Sequence, residues 1–299
     1  MPLSMTFLLK VQSDLPQREW PDKLSRALYL AIVKAVGIPA DHLEKNPSPF
    51  TISPVMPAEE KAAHKSTGRK GLLSRAITRK GARFHLRITW LEDQDIKFFM
   101  AWMPRLEHSP VSVEVGGLSV LLERAQLSPA LTNKWNGHVN YRQLYSEASD
   151  SLRTIILKFY SSTSLMRQED IPYPLPDPYR LFSGYFDLWE AFSGIPLAPG
   201  LRPAIKSRLA LVDFRLRKRS FLLNKKTLPG FRGSATFYLD GRHPESVLKG
   251  LNVLAEYSFF CGTGIATERG MGVTRRIQQG SRDTFNGNIF IYRSVMEQE

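Results

Sequence analysis

Two successive runs of strand, helix, strand, strand, helix and strand predict an α+β protein of two tandem ferredoxin-like (RRM-like, βαββαβ) domains. A glycine-rich loop near the C-terminus is the second observation. Charge is the third: 41 Lys and Arg against 28 Asp and Glu give the 299-residue chain a net charge of +13. An excess of that size points to a polyanionic partner, nucleic acid or an acidic membrane. At 42% hydrophobic and 23% charged residues, the composition is that of a globular chain rather than a disordered one. Cys261 is the only cysteine, which excludes an intramolecular disulfide and a cysteine-rich zinc site. A reducing cytoplasm fits both facts. The apolar run in "MPLSMTFLLKVQSDLP" is too short for a signal peptide or a membrane span. Nucleic acid is therefore the expected polyanion, with no membrane partner.

The first half opens with "SMTFLLKVQS", which alternates as a strand does. "WPDKLSRALYLAIVKAVG" follows as a helix, with Leu24, Leu28, Ala31, Ile32 and Ala35 at helical spacing. Pro21 suits its first turn, and Gly37 and Pro39 end it. The loop "IPADHLEKNPSP" leads into the short strand "FTISPV". Residues 64–83 then carry seven Lys or Arg and no acid. "FHLRITWL" reads as a strand and "EDQDIKFFMAWMPRL" as a helix with acids at its N-terminal end. "VSVEVGGLSVLLERAQL" gives one or two further strands. These elements set a first domain over 1–130, and the polar, weakly periodic residues 131–150 read as a linker.

The second domain, 151–299, starts with the strand "LRTIILKFY", stopped by the turn-rich "EDIPYPLPDP". "PYRLFSGYFDLWEAF" is a helix with Leu181, Phe182, Phe186 and Trp189 on one side. "RLALVDFRLRKRSFLL" and "FRGSATFYLD" are strand-like, the second entered through Pro229 and Gly230. "HPESVLKGLNVLAEYSFF" is the second helix, and "GVTRRI" and "GNIFIYRS" close the chain as strands. The two halves share element order but no close sequence repeat.

Between that last helix and the strand lies "GTGIATERGMGVTRR". It lacks the G-x-x-x-x-G-K-[ST] string of a phosphate-binding P-loop. A dinucleotide-binding loop follows a strand and precedes a helix, and here the order is reversed. Two readings stay open on spacing: a backbone aimed at a phosphodiester chain beside Arg269, Arg275 and Arg276, or a helix C-cap followed by a bulge. Two basic stretches add to the charge. Residues 64–83 include Arg69, Lys70, Arg79 and Lys80, as expected of a backbone-binding loop. In "RLRKRS", strand alternation puts Arg215, Arg217 and Arg219 on one face, where they can grip the phosphates of an RNA stem.

Four stretches together resemble the CRISPR-associated endoribonucleases that cut precursor guide RNA within its repeats, members of the RAMP superfamily. "LPGFRGSATFYLDG", a helix and "CGTGIATERGMGV" look like the family's C-terminal hallmark. "YPLPDPYRLFSGYFDLWEAF" is similar to its P-D-P turn and following helix. "DHLEKNPSPFTISPV" resembles its catalytic-loop stretch, and "LYLAIVKAV" the helix before it.

The resemblance implies metal-independent cleavage of a CRISPR repeat with no cofactor. The ribose 2′-OH attacks the adjacent phosphate, leaving 2′,3′-cyclic phosphate and 5′-OH ends. By the same resemblance His42 is the general acid or base, Tyr29 orients or activates the 2′-OH, and Lys45 supports the developing charge. The family lysine aligns with Ser48 in this chain, so either Lys45 or a cation of the basic stretch takes its place. Gly262, Gly264, Gly270 and Gly272, with Arg269, Arg275 and Arg276, would hold the RNA. The implied partners are precursor and mature CRISPR RNA, CRISPR effector-complex subunits and a second copy of the chain. A non-cleaving RNA-binding subunit of an effector complex is the alternative, and a histidine at position 42 argues for the nuclease.

Overall fold

The computed structural model describes residues 1–13, 24–37, 43–58, 79–127, 135–167, 171–223 and 226–277. It divides into two compact units, Leu3–Gly137 with Glu268–Gly270, and Met1–Pro2 with His138–Thr267 and Met271–Glu299. The strand "GNIFIYRS" and the basic loop up to Thr78 lie outside the described residues.

In the first unit, β1 (Leu3–Val11) and α1 (Leu24–Val36) are followed by β2 (Phe50–Ile52) and β3 (Met56–Pro57). Then come β4 (Arg83–Trp90), α2 (Asp93–His108), β5 (Val111–Val115) and β6 (Leu118–Gln126). The strand order β2-β4-β1-β6-β5 is the ferredoxin-like 2-3-1-4 arrangement with one extra edge strand, β5, hairpinned onto β6. Alternation decides the layers. Met5, Phe7 and Leu9 of β1 and Leu86, Ile88 and Trp90 of β4 are fully buried, as are Leu28 and Ile32 of α1. Phe7 and Trp90 meet edge to face, with ring centroids 6.4 Å apart. Each such side chain contributes about 1.5–3 kcal/mol by leaving water.

β7 (Gly137–His138) pairs with β1 in the first sheet, and α3 (Tyr141–Glu147) is the first element of the second unit. The linker reading of 131–150 is thus partly replaced by structure. Asn140 caps α3, its side-chain oxygen accepting from the Gln143 N–H at 2.7 Å. Tyr141 then packs edge to face on Trp189 at 5.3 Å, so aromatics taken as spots in a polar connection are core residues. β8 (Thr154–Thr163) is followed by the two-residue strands β9 (Leu165–Met166) and β10 (Pro172–Tyr173).

The unit continues with α4 (Pro178–Ser193), α5 (Leu201–Arg208), β11 (Leu209–Leu223), β12 (Lys226–Leu239), α6 (Glu245–Cys261) and β13 (Thr274–Ile277). The antiparallel order β11-β12-β8-β13 is again 2-3-1-4. The P-D-P turn has a local cause. Asp177 accepts from the Arg180 N–H at 2.8 Å as N-cap, and Pro178 fills the first helical position. α5 is the one described helix of eight or more residues that periodicity misses, because Pro203 and a basic end disguise its short apolar face of Leu201, Ala204 and Ile205.

Candidate nucleic-acid interface

α6 ends at Gly262, whose N–H donates to the Ser258 carbonyl at 3.0 Å. The chain then turns out into the glycine loop and returns at Gly272. Its neck is closed by Thr263 N–H to Gly272 C=O at 2.8 Å and by Gly272 N–H to Ser162 C=O at 2.9 Å. Two glycines are fixed by this closeness. A Cβ on Gly264 would sit 2.1 Å from the Ser164 carbonyl oxygen, and one on Gly272 2.1 Å from that of Thr263. Both residues also hold positive φ, 81° and 69°. Gly272→Ala is accordingly expected to destabilise the fold by about 2–4 kcal/mol. An unchanged urea midpoint would contradict this account of the neck.

The strand register assembles the basic surface. Arg215 of β11 faces Ser234 of β12, Ser234 faces Lys158 of β8, and Lys158 faces Arg275 of β13. Directly opposed residues in a sheet share a face, so one row across four strands carries three cations. The next row adds Arg217 opposite Arg232, and Arg219 lies opposite Gly230. The alternation read for Arg215, Arg217 and Arg219 is therefore what the register has. Sequence reasoning missed Lys158 and Arg232. The signal for Lys158 was the strict buried and half-buried alternation of "TIILKFYSST", which sets it on the face away from Leu157 and Phe159.

Crowding of like charge shows in the titration of these groups. Burial, then the Arg232 charge, lowers the Lys158 pKa. Burial, then the Arg219 charge, lowers that of Arg232. Burial also lowers that of Arg275, whose guanidinium lies 5.8 Å from the Phe259 ring centroid. A phosphate arriving here would relieve repulsion between cations already partly stripped of water.

The remaining expected residues divide. Arg276 turns to α6, donating to Glu256 at 3.0 Å and to the Asn252 side-chain oxygen at 2.7 Å. Its side chain is 13% exposed. Arg269 pairs with its neighbour Glu268 at 3.0 Å and stays one-third exposed. Tyr29 has no exposed surface, and its ring packs on Phe50 at 4.6 Å. Lys45 is exposed and ion-paired with Glu92. The Ser48 hydroxyl donates to the Phe50 carbonyl at 3.0 Å. Arg79 and Lys80 are exposed in the turn before β4. His42, Arg69 and Lys70 lie outside the described residues. Among the described residues no three His, Cys, Asp or Glu side chains cluster as metal ligands, and no helix is long and apolar enough to cross a membrane.

Two 2-3-1-4 sheets, a glycine loop between helix and strand, and a basic sheet face are the features that define the class of fold. Residues 157–274 match the family model described as CRISPR-associated endoribonuclease Cas6. Together, this match and the fold make the chain similar to Cas6/RAMP-type proteins. A Cas6 product complex is similar at a TM-score of 0.71 and 23% identity, covering 93% of this chain and all of that one. Thermus thermophilus Cas6 gives 0.68 and 22%, covering 93% of this chain and 98% of that one. The product of a Cas6-related gene from Pyrococcus furiosus gives 0.53 and 15%, covering 93% and 100%. Comparison with curated proteins returns no match.

Proposed function

We propose that the protein is an endoribonuclease that cuts precursor CRISPR RNA within its repeats, without a metal, and retains the mature guide. The observation carrying this reading is the Cas6 family pattern over 157–274, the span that supplies Arg215 and Lys158 of the basic row and ends next to its third cation, Arg275. The RNA backbone binds along that row and the glycine loop through phosphate contacts. His42 takes the proton from the 2′-OH, or returns one to the 5′-oxygen leaving group. Lys45 offsets charge on the pentavalent phosphorane. Its ion pair with Glu92 is exposed and worth no more than about 1 kcal/mol, so a phosphate can displace the carboxylate. Tyr29 holds α1 against β2 through its ring contact with Phe50.

Lys45→Ala is expected to slow cleavage by about 10–100-fold, while Glu92→Gln stays within about twofold. Equal loss in both variants would mean that the ion pair, not the ammonium, is what cleavage needs. End-labelled repeat RNA incubated with the protein in EDTA tests the function itself. One cut within the repeat is expected. Tight binding of cognate repeats without any cut would replace the nuclease by a binding subunit of an effector complex.

A further inference from the structure

Beneath the neck of the glycine loop runs a chain of buried hydroxyls. Tyr185 of α4 hydrogen-bonds the Thr263 hydroxyl, which donates to the Thr274 hydroxyl at 2.6 Å. Thr274 donates in turn to the Gly272 carbonyl at 2.9 Å. Tyr185 is 1% exposed, and both threonines have no exposed surface. The polarity of the chain is fixed by its end, because a carbonyl only accepts. Thr274 spends its proton on Gly272 and Thr263 spends its proton on Thr274, so Tyr185 must be the donor to Thr263.

The Gly272 oxygen also accepts the Thr263 N–H, so both of its lone-pair directions are filled from the loop's own base. Desolvation pushes the Tyr185 phenol well above its ordinary pKa, which keeps the donor protonated throughout the working range. The relay thus joins α4 to the loop, 78 residues further along the chain, and to β13, and it ends on a glycine whose position admits no side chain.

We infer that Tyr185 is a positioning residue for RNA binding, setting the glycine loop through Thr263 and Thr274 without touching the RNA. This rests on the loop's being an RNA contact, as proposed above. A buried hydroxyl whose partner is removed leaves a polar atom unsatisfied, at a cost comparable to the hydrogen bond itself. That loss falls on the loop neck first, since α4 keeps its apolar contacts through Phe182 and Trp189.

The test compares Tyr185→Phe, Thr263→Val and Thr263→Ser in the full chain. Hydrogen exchange at the Thr263 and Gly272 amides is expected to rise about fivefold to tenfold in the first two variants. The Kd for repeat RNA is expected to rise about fivefold, and kcat at saturating RNA to stay within about twofold. Thr263→Ser keeps the hydroxyl and is expected to match the parent in all three. Should Tyr185→Phe fail to fold, Thr263→Val removes the same relay from the loop side. Faster exchange with an unchanged Kd would make the relay merely structural, and unchanged exchange would remove it as a determinant of the loop. Arg269→Ala separates the two layers of the argument. If it leaves the Kd unchanged, the loop is no RNA contact and the positioning role falls with that reading. If it weakens binding and Tyr185→Phe does not, the positioning role alone falls.

Discussion

His42→Ala is expected to slow cleavage of repeat RNA by about 10²–10⁴-fold, with the Kd unchanged within about twofold. The size follows from what the reaction demands. A ribose hydroxyl is a poor nucleophile until its proton is drawn off, and a 5′-alkoxide leaves slowly until it gains one. A single imidazole near neutral pKa can serve either transfer. Binding is untouched because affinity comes from phosphate contacts to Arg and Lys elsewhere in the chain. The split between rate and affinity is the informative part. Loss of both would make His42 a binding or folding residue, and loss of neither would move the chemistry to another group.

The combined variant Arg215→Ala, Arg217→Ala, Arg219→Ala is expected to weaken repeat binding about 100-fold near physiological salt. Each arginine that neutralises one phosphate also releases about 0.7–0.9 counterion. The slope of log K against log salt should therefore shrink by roughly two to three. Stability should change little, because all three residues are exposed on the edge strand β11. The slope distinguishes this mechanism from a folding defect, which would lower the active fraction without altering it. Reduced affinity at an unchanged slope would remove the arginines from the interface.

Much of the fold was legible because its signals are local. Alternation in "SMTFLLKVQS" and the spacing of Leu24, Leu28 and Ile32 each report which side of an element meets the core. Arg215, Arg217 and Arg219 were legible for the same reason, being two residues apart on one strand. What stayed hidden depends on register across strands. Arg232 and Lys158 join the arginines only through pairing of β11, β12 and β8, which no single stretch records.

Arg276 shows the same limit from the other side. It looks like its neighbour Arg275, yet one residue of strand alternation turns it to Glu256 and Asn252. Tyr29 was placed on the correct helix, but its depth in the core is set by the distant Phe50. For the glycines, the structure shows the helix cap and a tight backbone neck, and phosphate binding by the loop belongs to the proposal. Gly262 closes α6, while Gly264 and Gly272 are demanded by backbone closeness at the neck.

The most direct test of the central claim is the chemistry of the product ends. Repeat RNA cut by the protein in EDTA, with the fragments analysed by mass spectrometry, should carry a 2′,3′-cyclic phosphate on one side and a 5′-OH on the other. A 3′-OH end, or a cut abolished by EDTA, would contradict attack by the ribose hydroxyl and the role proposed for His42.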